Sequence, residues 1–190
     1  MKFLKILFAL LTLLVLIFFG RGILTPTLTY SSEITVEKPV AEAWAVMQDE
    51  SKISDWLDGI TNVKHISGEK GEVGSVTEYK FDQGGQESIV LETIKSITPL
   101  EQIKMDFEAA GAMDMDYTVD YSEQGGGTVI KSTTVVTGKG LLMRSLLSFM
   151  QGSMLSQEDH NMSNLKKLIN SNTTNYFPET VLEVSEKVES

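Results

Sequence analysis

The sequence contains no cysteine. Disulfides, thiolate metal sites, a cysteine nucleophile and a lipidated N-terminal cysteine are excluded together, while the redox compartment stays open. Histidine is scarce: His65 falls in a strand-like stretch and His160 in a helical one, with no His-x-x-x-His or His-Glu-x-x-His spacing. No metal and no cofactor is therefore implied. Bases are short against acids, 16 Lys+Arg to 26 Asp+Glu, for a net charge of -10. Such a chain repels the phosphate backbone that supplies most non-specific nucleic-acid affinity, so nucleic acid is not an expected partner. The glycines at 68, 71 and 74 make no G-x-G-x-x-G run and are flanked by strands, which marks turns and not a nucleotide site.

What the chain does have is a charge-poor N-terminus. Residues 1–21 carry Lys2, Lys5 and Arg21 and no acid. From Phe3 to Phe19 the sole charge is Lys5, and as a helix this run covers about 26 Å at ~1.5 Å per residue, close to a bilayer's hydrocarbon core. Ile17, Phe18 and Phe19 crowd the place where a signal peptidase needs small residues, so an uncleaved membrane anchor over 1–21 is expected. The alternative is a cleaved signal peptide and a secreted form. The lysines precede the apolar run, which places the N-terminus in the cytoplasm and the domain outside it, periplasmic or extracellular. Residues 22–32 form a short extended tether, and residues 171–190 an acidic mobile tail; four Glu and one Lys occupy 179–190.

The whole chain, 190 residues with 42% hydrophobic and 22% charged composition, suffices for one globular domain, which lies between these ends. Glu33 to Glu37 alternates as a strand, Pro39 to Met47 has helical spacing, and a second short helix covers Lys52 to Leu57. Strands then follow at Ile60–Ser67, Ser75–Phe81, Ser88–Ile97, Gln102–Glu108, Met113–Ser122 and Thr128–Thr137, separated by turns of hairpin length. Gly138-Lys139-Gly140 introduces a long helix, Leu141 to Ile169, with Leu147, Met150, Met154, Met162, Leu165 and Ile169 on its apolar stripe. The expected class is α+β, a curved antiparallel sheet around a long C-terminal helix.

This order, with Pro39-Val40-Ala41-Glu42-Ala43-Trp44, Ile53-Ser54-Asp55-Trp56, Gly59-Ile60, Gly74, Ile97-Thr98-Pro99, Gly138-Lys139-Gly140-Leu141 and Asn164-Leu165-Lys166-Lys167-Leu168, resembles the START-type helix-grip superfamily labelled SRPBCC, in its polyketide cyclase/dehydrase-like and lipid-transport branch. The likeness covers residues 33–170. It implies a cavity between the sheet's concave face and the long helix, suited to a hydrophobic ligand.

The residues support a wall independently. In Met113-Asp114-Met115-Asp116-Tyr117 the apolar set alternates with acids, and Thr77, Tyr79 and Phe81 alternate with Glu78, Lys80 and Asp82. Methionine suits surfaces that must fit variable apolar partners. The expected pocket is Tyr79, Phe81, Met113, Met115, Tyr117, Met150 and Met154. Lys139 and Arg144 are candidates for a lipid headgroup at the start of the last helix, where a plain glycine bend is the bland alternative. Glu158, four residues after Met154, is the one catalytic candidate; Asp159 and His160 point elsewhere on the helix. Three function classes follow: an anchored carrier for a lipid or other apolar molecule, a cyclase/dehydrase-type enzyme, or a scaffold with a filled core. An open apolar cavity favours the first, convergent polar groups the second, and a closed core the third.

Overall fold

In the computed structural model, which describes residues 2–177, the alternating segments form strands β1 (Thr27–Val36), β2 (Ile60–Ser67), β3 (Val76–Gln83), β4 (Gln86–Thr98), β5 (Gln102–Ala109), β6 (Met113–Gln124) and β7 (Gly127–Gly138). They pair antiparallel into one seven-stranded sheet, ordered β1-β7-β6-β5-β4-β3-β2. Each consecutive pair from β2 to β7 is a hairpin, and β1 closes onto β7. Gly125 and Gly126 both have positive φ, 61° and 87°, the conformation that a two-residue β6–β7 turn demands of both positions.

Among the described residues there are also four α-helices: α1 (Lys2–Leu24), α2 (Val40–Gln48), the short α3 (Ile53–Trp56) and the 31-residue α4 (Gly140–Asn170), which lies against the sheet. The α+β arrangement expected from the periodicity, and the helix-grip fold that the resemblance implies, are present. Its main core joins α2, the sheet and the distal half of α4 through Val46, Ile103, Val119, Ile130, Met162, Leu165 and Ile169. A smaller cluster, Leu28, Val136 and Leu147, holds the start of α4 on β1 and β7.

Two boundaries differ from expectation. The stretch 22–32 is no tether: α1 continues to Leu24, and β1 begins at Thr27, so Thr25 and Pro26 alone separate them. Thr27 to Ser32 pairs in unbroken register with Thr137 to Ser132 of β7. Its inward positions, Leu28, Tyr30 and Ser32, are one apolar, one amphipathic and one small polar residue, too weak an alternation to read from the sequence.

At the other end, the first residues of the expected tail are packed. Asn172 is buried; its amide donates to Glu42 (2.8 Å) and to the Thr174 carbonyl (3.0 Å), and its side-chain oxygen accepts from Lys52 Nζ (3.0 Å). The Tyr176 hydroxyl donates to Asp49 at 2.8 Å. The rest of that expected tail, 178–190, lies outside the described residues. Replacing Asn172 by Ala leaves these partners unsatisfied, and is expected to cost about 1–3 kcal/mol in thermal or chemical unfolding.

α1 is long and apolar enough to cross a membrane, and none of its most apolar stretch is buried against the protein. Its last turns, however, lie on α4. Phe18 stacks on Phe149 with ring centroids 5.9 Å apart, the Arg21 guanidinium sits 5.8 Å above the same ring, and Gly22 is buried against Ser145. A Cβ at Gly22 would fall 2.7 Å from the Ser145 backbone nitrogen, so glycine is what lets the helices touch.

Candidate ligand-binding site

The concave face of the sheet and the middle of α4 do not meet fully, and a cavity of about 240 Å3 remains between them. Strand alternation builds its wall. Thr77, Tyr79 and Phe81 enter from β3, Val90, Glu92 and Ile94 from β4, Ile103, Met105 and Phe107 from β5, and Met115 and Tyr117 from β6. The antiparallel register sets these in rows, with Thr77 opposite Glu92, Glu92 opposite Phe107, and Phe107 opposite Met115. Tyr30, Thr134 and Glu158 close the side toward β1, β7 and α4, while Met47, Ile53, Trp56 and Leu57 close another.

The structure separates the seven residues expected to form the pocket into two sets. Tyr79, Phe81, Met115 and Tyr117 line the cavity, as does Glu158. Met113 and Met154 instead pack against Leu28, Val136 and Leu147, where they fill the joint between α4 and the sheet. Met150 is half-buried and does not line the cavity either. The physical reason is the length of α4: one apolar stripe runs down the whole helix, but only its middle faces the gap. Lys139, considered for a headgroup, is committed to Glu108 (2.7 Å) and Asp114 (2.9 Å). Arg144 is exposed, with its Nε donating to the Gly138 carbonyl at 3.1 Å.

The lining also holds polar groups of two kinds. The first are paired acids. The Glu158 carboxylate accepts from the Tyr117 hydroxyl (3.0 Å) and from the Ser132 hydroxyl, and burial raises its pKa against the effect of these donors. Glu92 accepts from the Tyr79 hydroxyl at 3.3 Å, and burial pushes its pKa up to about 7. Tyr117 and Tyr79 are raised in turn, by burial first and then by the neighbouring carboxylates.

The second kind are unpaired donors: the Trp56 indole N–H and the Thr134 hydroxyl are buried with no hydrogen-bond partner among the described residues. Tyr30 lies close to Thr134 without completing a bond of normal geometry. Among the described residues no Lys, Arg or His lines the cavity. Nor do three His, Asp or Glu side chains converge among them as a metal would need; His160 pairs with Asp58 at 2.8 Å on the surface.

Glu92 is a lining residue that the sequence did not single out. In Ile89-Val90-Leu91-Glu92-Thr93-Ile94 apolar residues occupy both parities, so the inward face is ambiguous until β3 and β5 pair with β4. Parity counted from the clearer β3 through the hairpin would have found it. Trp56 and Thr134 carry no sequence signal for being unpartnered.

Comparison with known proteins agrees with the fold. The model of the family described as polyketide cyclase / dehydrase and lipid transport matches residues 27–169. No curated protein matches the chain by sequence. Among solved structures, TTHA0849 from Thermus thermophilus superposes with a TM-score of 0.64 at 13% identity, covering 77% of this chain and 100% of that one. Ara h 8.0201 gives 0.58 at 18% identity over 77% of this chain and 99% of its own. The di-domain ARO/CYC BexL from the BE-7585A biosynthetic pathway gives 0.58 at 12% identity, covering 78% of this chain and 52% of that one. At such identities these likenesses speak for the fold alone.

Proposed function

Because the chain belongs to the polyketide cyclase / dehydrase and lipid transport family, whose description spans both chemistry and carriage, we propose that it is a membrane-anchored binding module for a neutral apolar small molecule. One observation carries the ligand's charge: the cavity is apolar and aromatic, includes Glu50, Glu92 and Glu158, and has no cationic side chain among the described residues. A free carboxylate or phosphate tail inside would be a buried charge with no partner, whereas an uncharged amphiphile loses nothing. The volume of about 240 Å3 lies just under the ~300–1,000 Å3 common for small-molecule sites, which favours a small guest or one that protrudes.

The polar groups in the wall support a second reading, a cyclase/dehydrase-type enzyme in which the buried Glu158 supplies a proton. Binding without turnover is preferred because Glu92 and Glu158 are already engaged by tyrosine or serine hydroxyls and Glu50 by Lys70 at 2.7 Å, which leaves no unengaged carboxylate in the wall among the described residues.

The anchor is α1, retained through its contacts with α4, with Lys2 and Lys5 on the cytoplasmic side and the domain on the other. A medium-chain alcohol and the acid of equal chain length, titrated against the full chain in nonionic detergent at pH 8 with intrinsic tryptophan fluorescence as readout, test the reading. The alcohol is expected to bind at least ~10-fold more tightly, since a buried unpaired charge costs more than the ~1.4 kcal/mol of a tenfold change. Equal or tighter binding of the acid overturns the charge argument, and turnover of a bound substrate that requires Glu158 would establish the enzyme.

A further inference from the structure

We propose that the first turns of α4 lie in the bilayer interface beside α1, so that the domain is held against the membrane in one pose. This rests on the reading of α1 as a membrane helix. Leu142, Leu146 and Phe149 follow an i, i+4, i+7 spacing and so share one face of α4, and they are 60%, 37% and 63% exposed. Leu141 at the edge of that face is 42% exposed. A face of this kind on a soluble helix is normally covered by something.

Three observations name the bilayer as the cover. The face is continuous with α1, because Phe149 stacks directly on Phe18, in the last turns of an otherwise bare apolar helix. Lipid that reaches Phe18 therefore reaches Phe149. Next, α4 changes character along its length: from Leu141 to Ser156 its only charge is Arg144 and there is no acid, in a chain whose net charge is -10. The acids of α4 begin at Glu158, beyond the exposed face.

Arg21 and Arg144, which form no ion pair among the described residues, stand at the border of this face, where lipid phosphates would be. A second copy of the chain would have to bring another α1 and another sheet into the same corner, and would leave the arginines facing each other.

The absence of cysteine allows a direct test. Single-cysteine variants L142C, L146C and F149C of the full chain, with L13C and E123C for comparison, are spin-labelled and placed in phosphatidylcholine vesicles containing a minority of phosphatidylglycerol. Collision with oxygen, which concentrates in lipid, is compared with collision with a water-soluble nickel chelate. The proposal expects an oxygen-to-nickel ratio at 142, 146 and 149 several-fold above that at 123 and approaching that at 13. Labels at 142, 146 and 149 that behave as at 123, while 13 is in lipid, overturn the proposal and leave the anchor standing. A water-exposed label at 13 overturns both. Shielding from both reagents with spin–spin broadening assigns the face to a second copy and overturns it as well.

Discussion

Met115→Glu is expected to abolish binding of a neutral apolar probe, lowering affinity by 100-fold or more, while Met154→Ala leaves affinity within a few-fold of the parent. Met115 lines the cavity directly opposite Phe107, so its carboxylate would share a 240 Å3 space with Glu92 and Glu158 and no cation. An uncompensated charge in such a place costs several kcal/mol, and each ~1.4 kcal/mol is tenfold in affinity. Met154 packs against Leu28, Val136 and Leu147, so its truncation should appear in stability and not in binding. Fluorescence titration for affinity and thermal unfolding for stability separate the two. The reverse pattern, with Met154→Ala losing the probe and Met115→Glu keeping it, would move the binding site to the smaller cluster.

Stability should fall as pH rises from about 4.5 to about 8. The Glu92 carboxyl, with an ordinary value of 4.5, is raised to about 7 in the folded chain by burial. The folded state thus holds a proton that the unfolded chain releases, so this group's contribution is fully present below 4.5 and is lost as pH passes through 7. The size is at most about 3 kcal/mol at 1.36 kcal/mol per unit. Glu158, shifted in the same direction by burial, adds to the slope. Thermal unfolding of the full chain in nonionic detergent across this range measures it. Glu92→Gln is expected to flatten the curve, chiefly by making the chain more stable at pH 8. A slope that Glu92→Gln leaves unchanged would place the linkage on other groups.

Much of the fold is legible in the sequence because most strands have one wet and one dry face. Met113 to Tyr121 alternates Asp and Thr with Met, Tyr and Val, and its strand and the inward side of Met115 and Tyr117 follow from period 2 alone. Where that contrast weakens, the strand or its inward side is lost to view. Thr27 to Ser32 is hydroxyls and one Leu, and reads as tether; Ile89 to Ile94 is apolar on both faces, and hides Glu92.

Helical periodicity has the complementary weakness. It marks the apolar stripe of α4 but not which of its turns face a cavity, a packed joint or the exterior, so spacing does not distinguish Met150 and Met154 from Glu158. The partners that decide this, β1 and α1, are more than a hundred residues away in sequence.

The two-residue link between α1 and β1 gives the molecule a mechanical character. Thr25 and Pro26 leave almost no slack, so a pull on α1 passes straight into the end of β1. That strand lies antiparallel to β7, with partners running from Thr27–Thr137 to Val36–Thr128. Tension along it loads the rungs side by side as shear, instead of peeling them one at a time. The strand joined to α1 is thus also the one placed to bear traction, and a force on α1 is felt first at the edge of the sheet where Tyr30 meets the cavity.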